Sequence, residues 1–186
     1  MELPIAPNID VNRLNVVFND TTNSYKFYWF LAILDALIDG GNEQMKFDDL
    51  AMRMVANVWF PLDYYKLSFG KQDGFKKVAD YISGQMTVDA STRSPALETQ
   101  INQSLGEAEV RAIKSKVGEL LRWVPFRFLR PFFMAELRGL KDTDVNGAIT
   151  QLCNQNFDQE NWRVMYKFEG RTIILNSNWL NYFKTH

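Results

Sequence analysis

Residues 24–35, SYKFYWFLAILD, carry eight consecutive apolar side chains from Phe27 to Leu34, and Tyr25, Phe27, Tyr28, Trp29 and Phe30 put five aromatic rings into six positions. Three readings compete: a membrane insert, a surface that stacks on a cofactor or base, and core. From Phe27 to Ile38 only Asp35 is charged, yet this run falls far short of the ~20 apolar residues a bilayer span needs. A helix that is apolar nearly all round is most simply a central buried one; stacking by Tyr25 or Trp29 is the alternative. Thr21, Thr22, Asn23 and Ser24 offer N-cap side chains, so the helix starts there. It stops at Gly40-Gly41, where glycine accepts the left-handed cap conformation.

Working outward, Pro4 and Pro7 predict an extended arm over residues 1–20. Lys46 to Phe60 reads as a second helix, with Asp48 and Asp49 in its first turn and Leu50, Met54, Val55 and Val58 as its apolar stripe. Pro61 marks its exit into the aromatic, turn-like PLDYYKLSFGKQD. Gln72 to Ile82 is a short amphipathic helix that turns Phe75, Val78, Ala79 and Ile82 inward. Residues 83–95, SGQMTVDASTRSP, are polar and small, so any division of the module into two subdomains falls there. Ala96 to Leu105 is a short helix ended by Gly106. Glu107 to Val124 is the clearest amphipathic helix, with Val110, Ile113, Val117, Leu120, Leu121 and Val124 on one stripe. Pro125 ends it, and VPFRFLRPFF (124–133) follows as an aromatic loop. Lys141 to Asn156 is helical, with Val145, Ile149 and Leu152 inward. RVMYKFEGRTIILN (163–176) predicts a β-hairpin turning at Glu169-Gly170, and Ser177 or Asn178 caps a last helix carrying Trp179, Leu180 and Phe183. The fold class is therefore mainly α: a single helical module over 1–186 with a small C-terminal β-hairpin.

A chain of 186 residues with 46% hydrophobic and 23% charged residues can bury a core without disulfides or metals. Cys153 is the single cysteine, which suits a reducing cytoplasm, and the N-terminal MELPIAPNIDVNRL has no secretory pattern. The single histidine, His186, is the last residue, so a Ser-His-Asp or Cys-His nucleophile system and a zinc site are not assembled unless the C-terminus docks. Neither phosphate-loop nor dinucleotide fingerprints occur. Residues 142–153, DTDVNGAITQLC, match the early positions of a calcium loop through Asp142, Asp144 and Asn146, but Cys153 stands where the bidentate Glu belongs; Asp142 or Asp144 as a helix cap is the simpler reading. The paired Asp48-Asp49 suits a helix dipole better than acid–base work.

Charge is more informative. Residues 1–65 carry nine acids and four bases, a balance of −5, whereas residues 111–141 carry eight bases and two acids, a balance of +6. Arg111, Lys114, Arg122, Arg127, Arg130 and Arg138 are the candidate nucleic-acid-binding residues, interleaved with Trp123, Phe126, Phe128, Phe132 and Phe133. Arginine and lysine neutralise phosphates, and aromatic rings stack on bases. The alternatives are a solvated helix face followed by a core-packing aromatic loop, or docking against an acidic partner. A third reading makes the hairpin a wing and residues 142–155 a recognition helix, against which Asp142, Asp144 and Asp158 argue.

Four stretches carry a resemblance: NSYKFYWFLAILDAL, NVWFPLDYYKLSFGKQD, LLRWVPFRFLRPFF and RTIILNSNWLNYF. Together they resemble the N-terminal region of bacterial HNH endonuclease-domain proteins over most of the chain. They look like scaffold signatures and not catalytic motifs. The resemblance implies either a nuclease segment further along the parent protein, whose histidines and aspartate would hold a divalent metal, or a protein without the nuclease half; the first is the expectation. No catalytic residue and no cofactor carries over, so the resemblance implies that this chain by itself is not an enzyme and that the parent would be a metal-dependent endonuclease. The expected partners are DNA and the C-terminal nuclease domain of the same protein, with no membrane. An attached helical module with a basic face would supply phosphate contacts and register. The competing expectation is a protein-interaction, oligomerisation or regulatory module; exposure of the 124–133 aromatics as one patch would favour it.

Overall fold

The computed structural model describes residues 3–19, 24–63, 74–89, 91–92, 96–159 and 164–186. The caps expected at Thr21, Thr22 and Asn23, the segment from Tyr64 to Asp73, Arg163 and part of the 83–95 loop lie outside the described residues. The chain is mainly α with a small antiparallel sheet.

The N-terminal stretch is not wholly extended. Helix α1 spans Val11–Val17, because Asp10 caps it: its Oδ1 accepts from the Asn12 amide at 3.2 Å and its Oδ2 holds Arg13 Nε at 3.1 Å. Val11, Leu14 and Val17 then share a buried face, and the Arg13 guanidinium donates to the Phe132 carbonyl. The influence of Pro7 ends before this cap.

Helix α2, Tyr25–Ile38, buries Trp29, Ala32, Ile33, Ala36 and Leu37, a helical repeat of one face. Two alanines in that stripe let the next helix come close. The expectation of burial all round is corrected: Phe27 and Leu31 are exposed, and Ile38 is 81% exposed. Past Ile38 the chain closes with the Gly41 amide on Ala36 O at 2.8 Å and the Gly40 amide on Leu37 O at 3.2 Å. Gly40 takes φ +82, and a Cβ on Gly41 would lie 2.3 Å from Ala36 O, so this cap demands both glycines.

A short strand β1, Gln44–Lys46, was not foreseen. Helix α3, Phe47–Asp63, runs through Pro61 instead of stopping there. Its stripe of Leu50, Met54, Val55 and Val58 is buried, joined by Ala51, Met52, Ala56 and Trp59. Helix α4 is Gly74–Gln85, α5 is Ala96–Ser104 and α6 is Glu107–Leu120. Helix α3 packs against α2, α4 and α6.

The 124–133 segment is helical, not a loop. Helix α6 stops at Leu120, and Pro125 opens helix α7, Val124–Leu129, followed by a 3-10 turn over Arg130–Phe133 with Pro131 near its start. Proline fits the first helical turn, whose amide has no partner to lose. Phe128, Phe132 and Phe133 are buried, and Phe126 stacks on Phe168 at 4.9 Å.

Helix α8, Asp142–Asn156, starts from Lys141, so neither Asp142 nor Asp144 is the cap; both sit in its first turn. Strands β2, Tyr166–Glu169, and β3, Thr172–Leu175, form the expected hairpin, but Glu169 pairs with Thr172. The turn residues are therefore Gly170-Arg171, with Gly170 at φ +58. Strand β1 adds to the other side of β3, giving the order β1-β3-β2. Asn176, not Ser177 or Asn178, caps the last helix α9, Ser177–Thr185: its Oδ1 accepts from the Asn178 amide at 3.0 Å.

A buried polar thread ties these parts. Trp29 Nε1 donates to Tyr166 Oη at 3.0 Å, and Tyr166 Oη donates to the Pro125 carbonyl at 2.5 Å. One core cluster runs from α1 through α2, α3 and α6 to the sheet and α9.

Candidate nucleic-acid interface

Helix α6 turns Ile113, Val117 and Leu120 into the core, which leaves Arg111, Lys114, Ser115 and Gly118 along its outer side. Arg122, in the turn after the helix, continues that line. The β2–β3 turn approaches from across, and a Cβ on Gly118 would meet Arg171 Nη2 at 4.0 Å, ordinary contact distance. The result is an open groove of about 750 Å³ lined by Arg111, Lys114, Arg122 and Arg171, with Asp48 and Glu119 as its acids. Three of the six sequence-predicted residues meet there. Arg171 was missed, because only the hairpin register brings residue 171 to helix α6.

The cations differ in how firmly they are held. Arg171 Nη2 pairs with Asp48 Oδ1 at 2.6 Å, but both side chains are largely exposed, and such pairs contribute only about 0–1 kcal/mol. Arg111 meets Glu107 at 4.0 Å in an exposed pair of the same weak kind. Arg122 lies over the Trp123 ring at 5.0 Å. These groups can exchange their present neighbours for phosphate at little cost.

Arg127 cannot. Its Nε donates to Asn146 Oδ1 at 3.0 Å, Nη1 to Asp142 Oδ1 at 2.7 Å and Nη2 to the Asp142 carbonyl at 3.0 Å, with the side chain only 17% exposed. Asn146 Nδ2 in turn donates to the Arg122 carbonyl at 3.1 Å. The guanidinium thus rivets α7 to the start of α8. It also holds the Asp142 carboxyl below the usual carboxylate range. The oxygens that suggested a calcium loop serve a guanidinium instead. Arg130 is exposed near Asp142, and Arg138 is exposed just before Gly139; neither lines the groove.

Behind the groove, burial pushes the Glu98 carboxyl up, Asp49 adds to the rise, and Lys114 and Arg53 oppose it. Burial raises the Cys153 thiol far above its ordinary range, which leaves it a small apolar core side chain with no thiolate chemistry. Among the described residues no three of His, Cys, Asp and Glu gather to hold a metal, and no helix is long and apolar enough to cross a membrane. Set against known protein families, curated proteins and solved structures, the chain matches none.

Proposed function

We propose that this chain is the N-terminal accessory module of a bacterial, cytoplasmic HNH-type DNA endonuclease, and that it grips the sugar-phosphate backbone of duplex DNA. The observation that carries the reading is the convergence of Arg111, Lys114, Arg122 and Arg171 on one open groove. The likeness of four sequence stretches to HNH-domain proteins supplies the nuclease context. In this reading the divalent metal and the cutting chemistry belong to a nuclease segment of the parent protein, and the module fixes where that segment lands. Phe128, Phe132 and Phe133 are buried, which argues against an exposed aromatic patch for a protein partner, while Arg127 and Arg130 of the same segment stay outside the groove.

Binding to a short duplex, measured by fluorescence anisotropy from about 50 to 200 mM salt, tests it. Four phosphate contacts give a log–log slope of about −3 to −4, and replacing any one of Arg111, Lys114, Arg122 or Arg171 by Ala reduces it by about 1. Arg130→Ala and Arg138→Ala leave the slope unchanged. No binding at about 50 mM salt overturns the proposal.

A second reading, self-association, is favoured by one feature: Phe27, Leu31 and Ile38 leave exposed apolar side chains along α2. Sedimentation velocity decides it. A dimer that Ile38→Glu dissociates supports it; a monomer throughout removes it.

A further inference from the structure

Glu119 borders the groove on one side and a second concavity on the other. This cleft, of about 390 Å³, opens between α4, the last turn of α6 and the Trp123 corner, with Tyr25 and Lys26 of α2 at its far wall. That size is typical of small-ligand sites. It admits one nucleotide and is too small for a duplex.

The lining is divided by chemistry. Val78, Leu120 and Val124 are buried and make an apolar floor. Lys26, Lys77 and Lys116 stand around it, and Glu119 is its acid. At the corner, Trp123 keeps 39% of its surface exposed. The guanidiniums of Arg122, at 5.0 Å, and Arg127, at 5.1 Å, lie over its ring; Arg127 is held by Asp142 and Asn146, so a base reaches the indole where Arg122 leaves it for a phosphate. An exposed indole beside arginine planes is a stacking platform, and lysines around an apolar floor suit a ligand with one flat face and one anionic end.

We infer that the cleft takes a single unpaired nucleotide of a DNA strand, its base against Trp123 and its phosphate among Lys26, Lys77 and Lys116. The choice of ligand rests on the nucleic-acid reading above and deepens it. The groove and the cleft flank the same helix, about 10 Å across, so a strand leaving a duplex in the groove reaches the cleft within a few nucleotides. The module then prefers DNA ends, flaps or junctions over uninterrupted duplex.

Anisotropy with a blunt duplex, the same duplex carrying a short single-stranded flap, and the free single strand tests this. The flap adds at least about fivefold in affinity over the blunt duplex, the lower limit for one stacked base. Trp123→Ala and, separately, Lys77→Ala abolish that gain, Lys77→Ala leaves blunt-duplex affinity within about twofold, and Trp123→Phe keeps the gain. Lys77 is exposed, so its variant folds whatever Trp123→Ala does. Equal binding of flap and blunt duplex overturns the inference and leaves the groove reading standing. A flap gain that survives both variants also overturns it. Binding of the single strand that needs Trp123, with no binding of blunt duplex, keeps the cleft and overturns the groove.

Discussion

Tyr166 shows what a single buried hydroxyl contributes. It accepts from Trp29 and donates to Pro125, and burial drives its ionisation far above the ordinary tyrosine range, so it stays a neutral donor. Tyr166→Phe keeps the ring and its stacking on Phe128 but leaves the Trp29 N–H and the Pro125 carbonyl unpaired. The expected loss is about 1–3 kcal/mol, read as a lower urea midpoint with an unchanged denaturant slope. An unchanged midpoint would mean the thread carries no net stability. Glu98 makes a pH prediction of opposite sign to the usual carboxylate. Its folded value lies above the ordinary 4.5, so the native state holds the proton more tightly than the unfolded chain. Stability is then greatest below 4.5 for this group and falls as pH rises through the folded value. Glu98→Gln should remove that fall: relative to wild type, its melting temperature rises more at about pH 7 than at about pH 4. A difference that is the same at both pH values would place Glu98 in solvent.

At the scale of elements, β2 is one edge of the sheet, with β1 the other, and an open edge invites pairing with another chain. Asn154 of α8 closes the β2 edge. Its Nδ2 donates to the Phe168 carbonyl at 3.0 Å and its Oδ1 accepts from the Phe168 amide at 2.9 Å, as a neighbouring strand would. Asn154→Ala should cost about 1–3 kcal/mol, speed hydrogen exchange at the Phe168 amide and promote association at high concentration. Slow exchange at that amide in the variant would show that the helix itself shields the edge. Such cross-element ties explain what was readable in the residues and what was not. The stripes of α3, α4 and α6 follow from local spacing, and so do Arg111, Lys114 and Arg122 as neighbours on or just past α6. Strand β1 is three residues long and has no period to detect; it exists because β3 offers it an edge. Pro125 signals both a helix end and a helix start, and only packing of Phe128 selects the start. Arg127 reads as a free cation until Asp142 and Asn146 fold back onto it, and Arg171 reads as a hairpin residue until the register puts it at the turn.

Over the whole molecule, folding does not separate the acidic first third from the basic stretch after residue 111. Helix α3, which carries Asp48 and Asp49, packs directly on α6. Asp35 is taken up by Asn57 at 2.6 Å and Asp39 by Arg53, but Asp48 faces outward into the groove through Arg171. The groove therefore holds four cations against Asp48 and Glu119, and its attraction for phosphate is the difference. Replacing Asp48 by Asn removes one repulsive charge without changing side-chain size. A unit charge about 8 Å from a phosphate in water is worth about 0.5 kcal/mol before screening, or about twofold in affinity. The gain should appear at about 50 mM salt and fade toward 200 mM as the screening length shortens. Asp48→Asn also frees Arg171 to close on its phosphate, while the log–log salt slope, set by the same four contacts, stays unchanged. Weaker binding of the variant would show that Asp48 orients Arg171 for its contact, and that positioning outweighs charge. Identical binding at every salt concentration would move the phosphate away from this groove and leave Arg171 as a tie between the hairpin turn and α3.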